Sequence, residues 1–92
     1  MNKDNYFRPG DTVVFEPANF NPEYWNKLSE TRKREYYGDL YNFEDPSKPF
    51  LFTFICEQKP QYGHCVLVSM DTQKMETMRH INDFRKARED EC

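Results

Sequence analysis

The chain has 92 residues, a formal net charge of -3 and 37% hydrophobic residues, which suits one domain over residues 1–92 and is too short for two. Both signs of charge are interleaved along the chain, and this excludes the uniformly basic footprint of many nucleic-acid-binding domains. No apolar run approaches the roughly 20 residues of a membrane span, and MNKDNYFRPG lacks the apolar core of a signal peptide. We therefore expect a cytoplasmic protein that does not enter a membrane.

The first predicted element is a strand that follows a tight corner. In RPGD, Pro9 supplies the fixed φ of the second turn position and Gly10 the positive φ of the third, which is the signature of a type II turn. The apolar run after it predicts a strand over 12–16. Pro17 ends this strand because proline has no N–H to donate.

A helix over 22–37 is the most strongly predicted element. Asn21 caps its first turn, Pro22 lies where a missing N–H costs nothing, and Gly38 takes the left-handed position at its end. One stripe of the helix is predicted to dock on the sheet, and it comprises Trp25, Leu28, Arg32 and Tyr36. The opposite side faces solvent, and it comprises Asn26, Lys27, Glu30, Lys33 and Arg34.

Two strands over 50–57 and 64–70 are rich in β-branched and aromatic residues, and QKPQYG between them supplies the turn of an antiparallel hairpin. Polarity favours a register in which opposed residue numbers sum to 122. That register gives one wholly apolar face, made of Phe52, Phe54, Cys56, Val66, Val68 and Met70. Ile55 and Leu67 then share the outer face.

The remaining chain predicts a strand over 75–80, a break at Asn82 and Asp83, and a short strand that starts at Phe84. The charged tail over 88–92 is expected to fray. Eight Phe, six Tyr and one Trp predict a small core that is filled mainly by aromatic rings.

This order of elements resembles the small five-stranded barrel of the Src-homology-3 type. The opening PGD followed by an apolar strand is similar to the start of KOW-like barrels, and the resemblance covers residues 8–88. It implies a mainly β (α+β) fold, a small five-stranded antiparallel barrel with one helix inserted after the first strand. It implies no activity. The size and composition also resemble small accessory proteins of bacteriophages and mobile elements.

Three cysteines and two histidines are the candidate metal ligands and nucleophiles. No CxxC or HxxxH spacing is present, and the predicted register places Cys56 and Cys65 on opposite faces. Adjacent strand residues such as His64 and Cys65 also point to opposite faces, so the imidazole does not reach the thiol. We therefore expect free thiols, no metal, no cofactor and no catalytic residues.

Basic residues and exposed rings are the candidate binding groups. Lys27, Lys33 and Arg34 on the helix, with Tyr37 and Tyr41 after it, combine charge with contact area. Their alternative role is that of an ordinary solvated helix face. Ile55 and Leu67 on the outer sheet face are a second candidate, and the alternative there is that the helix covers them.

These features predict a non-enzymatic binding protein that docks on and modulates a protein partner. Its most concrete version is a phage or mobile-element inhibitor of a host nuclease or defence complex, such as an anti-CRISPR protein. The alternative is a nucleic-acid-binding small barrel, in which basic residues contact phosphates and the tyrosines stack on bases. These basic residues are Arg32, Lys33, Arg34, Arg79, Arg85, Lys86 and Arg88. A thiol or metal-dependent enzyme is the third possibility.

Overall fold

The computed structural model describes residues 7–16 and 22–91. Within these ranges the chain forms a five-stranded antiparallel sheet and two helices, so the predicted α+β class is confirmed. The elements are β1 (Thr12–Phe15), α1 (Pro22–Lys27), α2 (Glu30–Tyr37), β2 (Phe52–Lys59), β3 (His64–Ser69), β4 (Met75–His80) and β5 (Phe84–Lys86). Single 3-10 turns occur at Pro60–Tyr62, Ile81–Asp83 and Glu89–Glu91. Neither helix is long and apolar enough to cross a membrane, and the same holds throughout the described ranges.

The sheet is open. Its strand order is β4-β3-β2-β1-β5, so β4 and β5 lie at opposite edges and do not pair. The predicted barrel is therefore wrong. Closure requires strands long enough to tilt and stagger around a common axis, whereas β1 has four residues and β5 has three.

The predicted type II turn before β1 is confirmed. Gly10 has a φ of +95°, and the Asp11 N–H donates to the Arg8 carbonyl at 3.0 Å. The turn also starts the pairing with β2, since the Gly10 N–H donates to the Phe54 carbonyl at 2.8 Å. β1 ends at Phe15, and the predicted strand-ending role of Pro17 lies outside the described residues.

A bulge at Ile55 changes the register of the β2–β3 hairpin. The predicted register holds directly beyond the bulge, where Cys56 faces Val66, and it shifts again between Glu57 and Lys59. Before the bulge, Phe54 faces Leu67 rather than Val68. This shift turns Leu67 into the core, where it is fully buried. The prediction that Ile55 and Leu67 share the outer face is therefore wrong, because one extra residue in a strand reverses the faces on one side of it.

The predicted helix over 22–37 is interrupted between α1 and α2. Ser29 has an extended backbone, and its hydroxyl accepts the Arg32 N–H at 3.2 Å, so it caps α2. A residue that caps a new helix cannot also lie inside a continuous one, which explains the break. Gly38 has a φ of -61°, so its predicted left-handed conformation is wrong. The predicted cap at Asn21 lies outside the described residues.

Aromatic rings fill the core, as predicted. Phe15 is central, with Tyr37 stacked at 5.2 Å and Trp25 at 6.0 Å between ring centroids. The predicted stripe had Tyr36 facing the core, but Tyr36 is 45% exposed and Tyr37 packs inward instead. The reason is that a new helix begins after Ser29, so the faces predicted for one continuous helix do not apply to α2. The buried core cluster comprises Phe7, Val13, Phe15, Leu40, Phe52, Phe54, Cys65, Leu67 and Phe84.

The C-terminal segment is held against the sheet as far as Glu91. Both carboxylate oxygens of Glu91 accept from the Arg85 guanidinium, at 2.7 and 2.8 Å, and the Arg88 N–H donates to Glu91 at 2.8 Å. Arg85 also donates to Glu16 at 2.9 Å. Arg85 offers a planar set of donors that matches a carboxylate, and this explains the two contacts with Glu91. The predicted fraying of the tail stays a prediction.

Candidate partner-binding surface

Tyr37, Tyr41 and two further rings form an aromatic cluster beside the helices. Tyr41 meets Trp25 at 5.6 Å and Phe43 at 4.8 Å between ring centroids. The chain turns back directly after α2, because the Tyr41 N–H donates to the Tyr37 carbonyl at 2.9 Å. Tyr37 and Tyr41 are accordingly half-buried and pack against the core. They support the surface rather than forming its outer layer.

Two predicted binding cations lie against rings of this cluster. The Lys33 ammonium is 4.8 Å from the Trp25 ring centroid, and the Arg34 guanidinium carbon is 5.1 Å from that of Phe43. Each contact attracts a cation to the electron-rich face of a ring. Lys27 is exposed in the last turn of α1. We call Lys27, Lys33 and Arg34, with their supporting rings Trp25 and Phe43, the basic face.

The cations of the basic face differ from most others in their ionic contacts. Within the described ranges, Lys27, Lys33 and Arg34 have no carboxylate oxygen within 4 Å. Glu23 and Glu30, on the same helices, likewise make no ion pair with a described residue. The cations that are paired are Arg32 with Glu35, Lys74 with Asp39 and Glu76, Arg79 with Glu76, Arg85 with Glu16 and Glu91, and Lys86 with Asp11.

This pairing weakens the predicted second basic cluster near the C-terminus. Arg85 contacts two carboxylates and Lys86 lies 3.8 Å from Asp11. Arg79 donates to Glu76, a carboxylate that is only 7% exposed, at 2.9 Å. Its other guanidinium nitrogen lies 3.5 Å from the Tyr36 carbonyl and so ties β4 to α2. These arginines therefore hold the fold together, and little of their charge is left for a ligand.

The second predicted site, on the sheet face, is divided by the bulge. Ile55 is 39% exposed, whereas Leu67 is fully buried. Ile55 borders a shallow groove of about 310 Å³, which Val68 and Met70 also line. Among the described residues, none of the helical side chains lines this groove. Ile55 thus remains accessible, and Leu67 is not available to a partner.

The described histidines and cysteines lie in different environments of the sheet. Burial raises the pKa of the Cys65 thiol to about 12, with a further contribution from Glu57, so this thiol stays protonated at neutral pH. Cys56 is exposed and Cys65 buried, and both are free. The His64 and His80 rings are 5.0 Å apart. Across residues 7–16 and 22–91, no three potential ligands are grouped around a metal position, and Cys92 lies outside these ranges.

Phe43 is a residue of the basic face that the sequence did not reveal. It lies in the loop between α2 and β2, where Asn42 accepts the Asp45 N–H at 3.1 Å and donates to the Lys48 carbonyl at 2.9 Å. These contacts fix the loop so that the Phe43 ring reaches Arg34. An Asn followed three residues later by Asp-Pro is a signal for such a turn, but it does not specify which helical residue the adjacent ring meets.

No protein-family model, no characterised protein and no solved structure matches this chain at a significant level. The resemblance to Src-homology-3 and KOW-like barrels therefore stays a prediction. The assignment of function consequently rests on the chemistry of the surface itself.

Proposed function

We propose that this protein is a non-enzymatic binding protein that docks on a protein partner through the basic face. The observation that supports the proposal is that Lys27, Lys33 and Arg34 lack carboxylate partners among the described residues. In contrast, four cations of the sheet and its turns are paired with carboxylates, namely Lys74, Arg79, Arg85 and Lys86. Unpaired cations that are held in one region provide electrostatic complementarity to an acidic surface and accelerate its encounter.

The supporting rings add a second reason. Binding normally costs about 0.5–1.5 kcal/mol for each flexible side chain that becomes immobilised. Lys33 on Trp25 and Arg34 on Phe43 are already restricted by their ring contacts. A partner that meets them therefore loses less free energy to ordering than it does with freely rotating side chains.

The more specific version of this function is modulation of a host nuclease or defence complex by a phage or mobile-element protein, such as an anti-CRISPR protein. It stays a prediction, because the basic face indicates the charge of a partner and not its identity. Nucleic-acid binding is the alternative function, since the same cations also attract phosphates.

The test is capture of partners from lysate by three forms of the protein. These are the wild type, the double variant Lys33→Glu/Arg34→Glu, and the control Arg8→Glu. Arg8 is exposed in the turn before β1. Its guanidinium makes no ion pair with a described residue, although its backbone N–H donates to the Asp11 carboxylate at 2.8 Å. We expect wild type and control to retain the same protein and the double variant to lose it.

Circular dichroism must first show that the double variant is folded. A partner that all three forms capture equally would contradict the proposal and would direct attention to the groove beside Ile55. A partner that nuclease treatment of the lysate removes from every sample would favour the nucleic-acid alternative.

A further inference from the structure

We infer that the basic face binds a short carboxylate-rich segment of the partner, an inference that rests on the proposed function and adds the chemistry of the ligand. Three properties of the surface lead to this inference. They are the occupation of the ring faces, the donor geometry of the cations, and the negative charge around them.

Three rings on and beside the basic face already have a cation against them. Sequence-tolerant binding of single strands depends on bases stacking on bare aromatic faces. Here Lys33 lies over Trp25, Arg34 over Phe43, and Arg32 over Tyr36 at 5.9 Å. The Arg32 guanidinium also donates to the Tyr36 hydroxyl at 2.9 Å. A base must therefore displace a cation before it stacks, so these rings are poor platforms for nucleic acid.

The cations keep their donors free for an anion. A guanidinium that lies against a ring still presents N–H groups at its edge, and these match the two oxygens of a carboxylate. An ammonium on a ring likewise retains donors that point away from it. The rings that carry Lys33 and Arg34 lie beside each other, since the Trp25 and Phe43 centroids are 6.4 Å apart, so the two cations offer positions in one region for acidic side chains of a single segment. Lys27 at the end of α1 offers a third positive charge.

The surrounding charge limits the length of the anion. The whole chain carries a net charge of -3, and Glu23 and Glu30 are exposed on the same helices as the basic face. A long polyanion that passes beyond the three cations meets repulsion. A short segment that ends within the basic face avoids most of it. This contrast favours an acidic peptide over a nucleic-acid strand.

The experiment uses Trp25 as its own reporter, because it is the single tryptophan of the chain and lies under Lys33. The full-length protein is titrated at low salt with tetraglutamate, with uncharged tetraglutamine, and with a five-nucleotide oligothymidylate that carries four phosphates. We expect tetraglutamate to change the Trp25 emission in a saturable way, with a dissociation constant of about 0.1–1 mM. Tetraglutamine is expected to have no effect.

Matched variants locate the binding. Arg34→Gln keeps a polar side chain but removes the charge, and we expect it to weaken tetraglutamate binding by about fivefold or more. Arg8→Gln removes one exposed charge elsewhere and is expected to leave the affinity unchanged. Equal weakening by both variants would show a general effect of net charge and would overturn the inference.

The remaining outcomes are equally decisive. Tighter binding of oligothymidylate than of tetraglutamate would replace the inference with the nucleic-acid alternative. Absence of tetraglutamate binding would overturn it. In that case, the proposed function still holds if wild type captures a protein from lysate and the Lys33→Glu/Arg34→Glu variant does not. Failure of this inference is therefore distinguishable from failure of the proposed function.

Discussion

Replacement of Glu91 by Gln is expected to destabilise the protein in a pH-dependent manner. The Arg85 hydrogen bonds, together with the Arg88 N–H, lower the pKa of Glu91 from 4.5 to about 2, although burial acts in the opposite direction. A carboxyl whose pKa is depressed by folding stabilises the native state above its unfolded pKa, and this stabilisation is lost as the pH falls through the folded pKa. The contribution is therefore complete above about pH 5 and declines towards pH 2.

The magnitude follows from the shift and from the exposure of the pair. The full shift sets an upper bound of about 3 kcal/mol. The Arg85 side chain is 20% exposed and that of Glu91 11%, so solvent screens part of the interaction. We expect Glu91→Gln to lower the free energy of unfolding by about 1–2 kcal/mol at pH 7, and the difference from wild type to shrink below pH 4.

Urea denaturation of both forms between pH 2.5 and pH 7 measures this difference. Glu89→Gln is the matched control, because Glu89 lies in the same 3-10 turn but forms no ion pair with a described residue. If the free energies of unfolding of wild type and Glu91→Gln differ by the same amount at every pH, the reasoning is refuted. The difference would then not arise from the ionised carboxylate. A loss equal to that of Glu89→Gln would refute the contact itself.

Two further predictions concern backbone strain and thiol accessibility. Met78 has a φ of +58° within β4, a conformation that glycine adopts without strain. We therefore expect Met78→Gly to raise the free energy of unfolding, measured in urea, by about 1 kcal/mol. A decrease would contradict this expectation and would mean that the exposed Met78 side chain makes a stabilising contact. Ellman's reagent is expected to react with Cys56 in the native protein and with Cys65 only after unfolding, because Cys65 is fully buried and its pKa is raised to about 12. Rapid native reaction of a Cys56→Ser/Cys92→Ser variant would contradict this expectation.

The sequence predicted those parts of the fold that depend on local chemistry. The type II turn at Pro9 and Gly10 follows from the φ preferences of the two residues alone. The strand Met75–His80 has its predicted bounds, because turn residues flank it on both sides. The cap at Ser29 was also readable, since serine accepts the N–H of the third helical residue, but the long periodic stretch around it favoured one continuous helix.

The parts that were not predictable depend on contacts between distant segments. The bulge at Ile55 places Phe54 opposite Leu67 in a common core, and a polarity pattern within one hairpin does not contain that information. Closure of the sheet depends on the lengths of β1 and β5, which the sequence pattern defines only loosely. In the basic face, the positions of Lys33 and Arg34 on the helix were predictable. Their ring partners depend on the loop that carries Phe43, and the local contacts of Asn42 that fix this loop do not specify which helical residue the ring meets.

The bulge in β4 affects how this molecule behaves at high concentration. β4 is an edge strand, and a flat edge offers a row of free N–H and C=O groups on which another chain can add a strand. Thr77 and Met78 lie opposite Val66 alone, and this extra residue interrupts the row midway along β4. We expect the interruption to oppose sheet extension between copies and the growth of fibrils from this edge. Backbone pairing between copies through the β4 edge is thereby disfavoured.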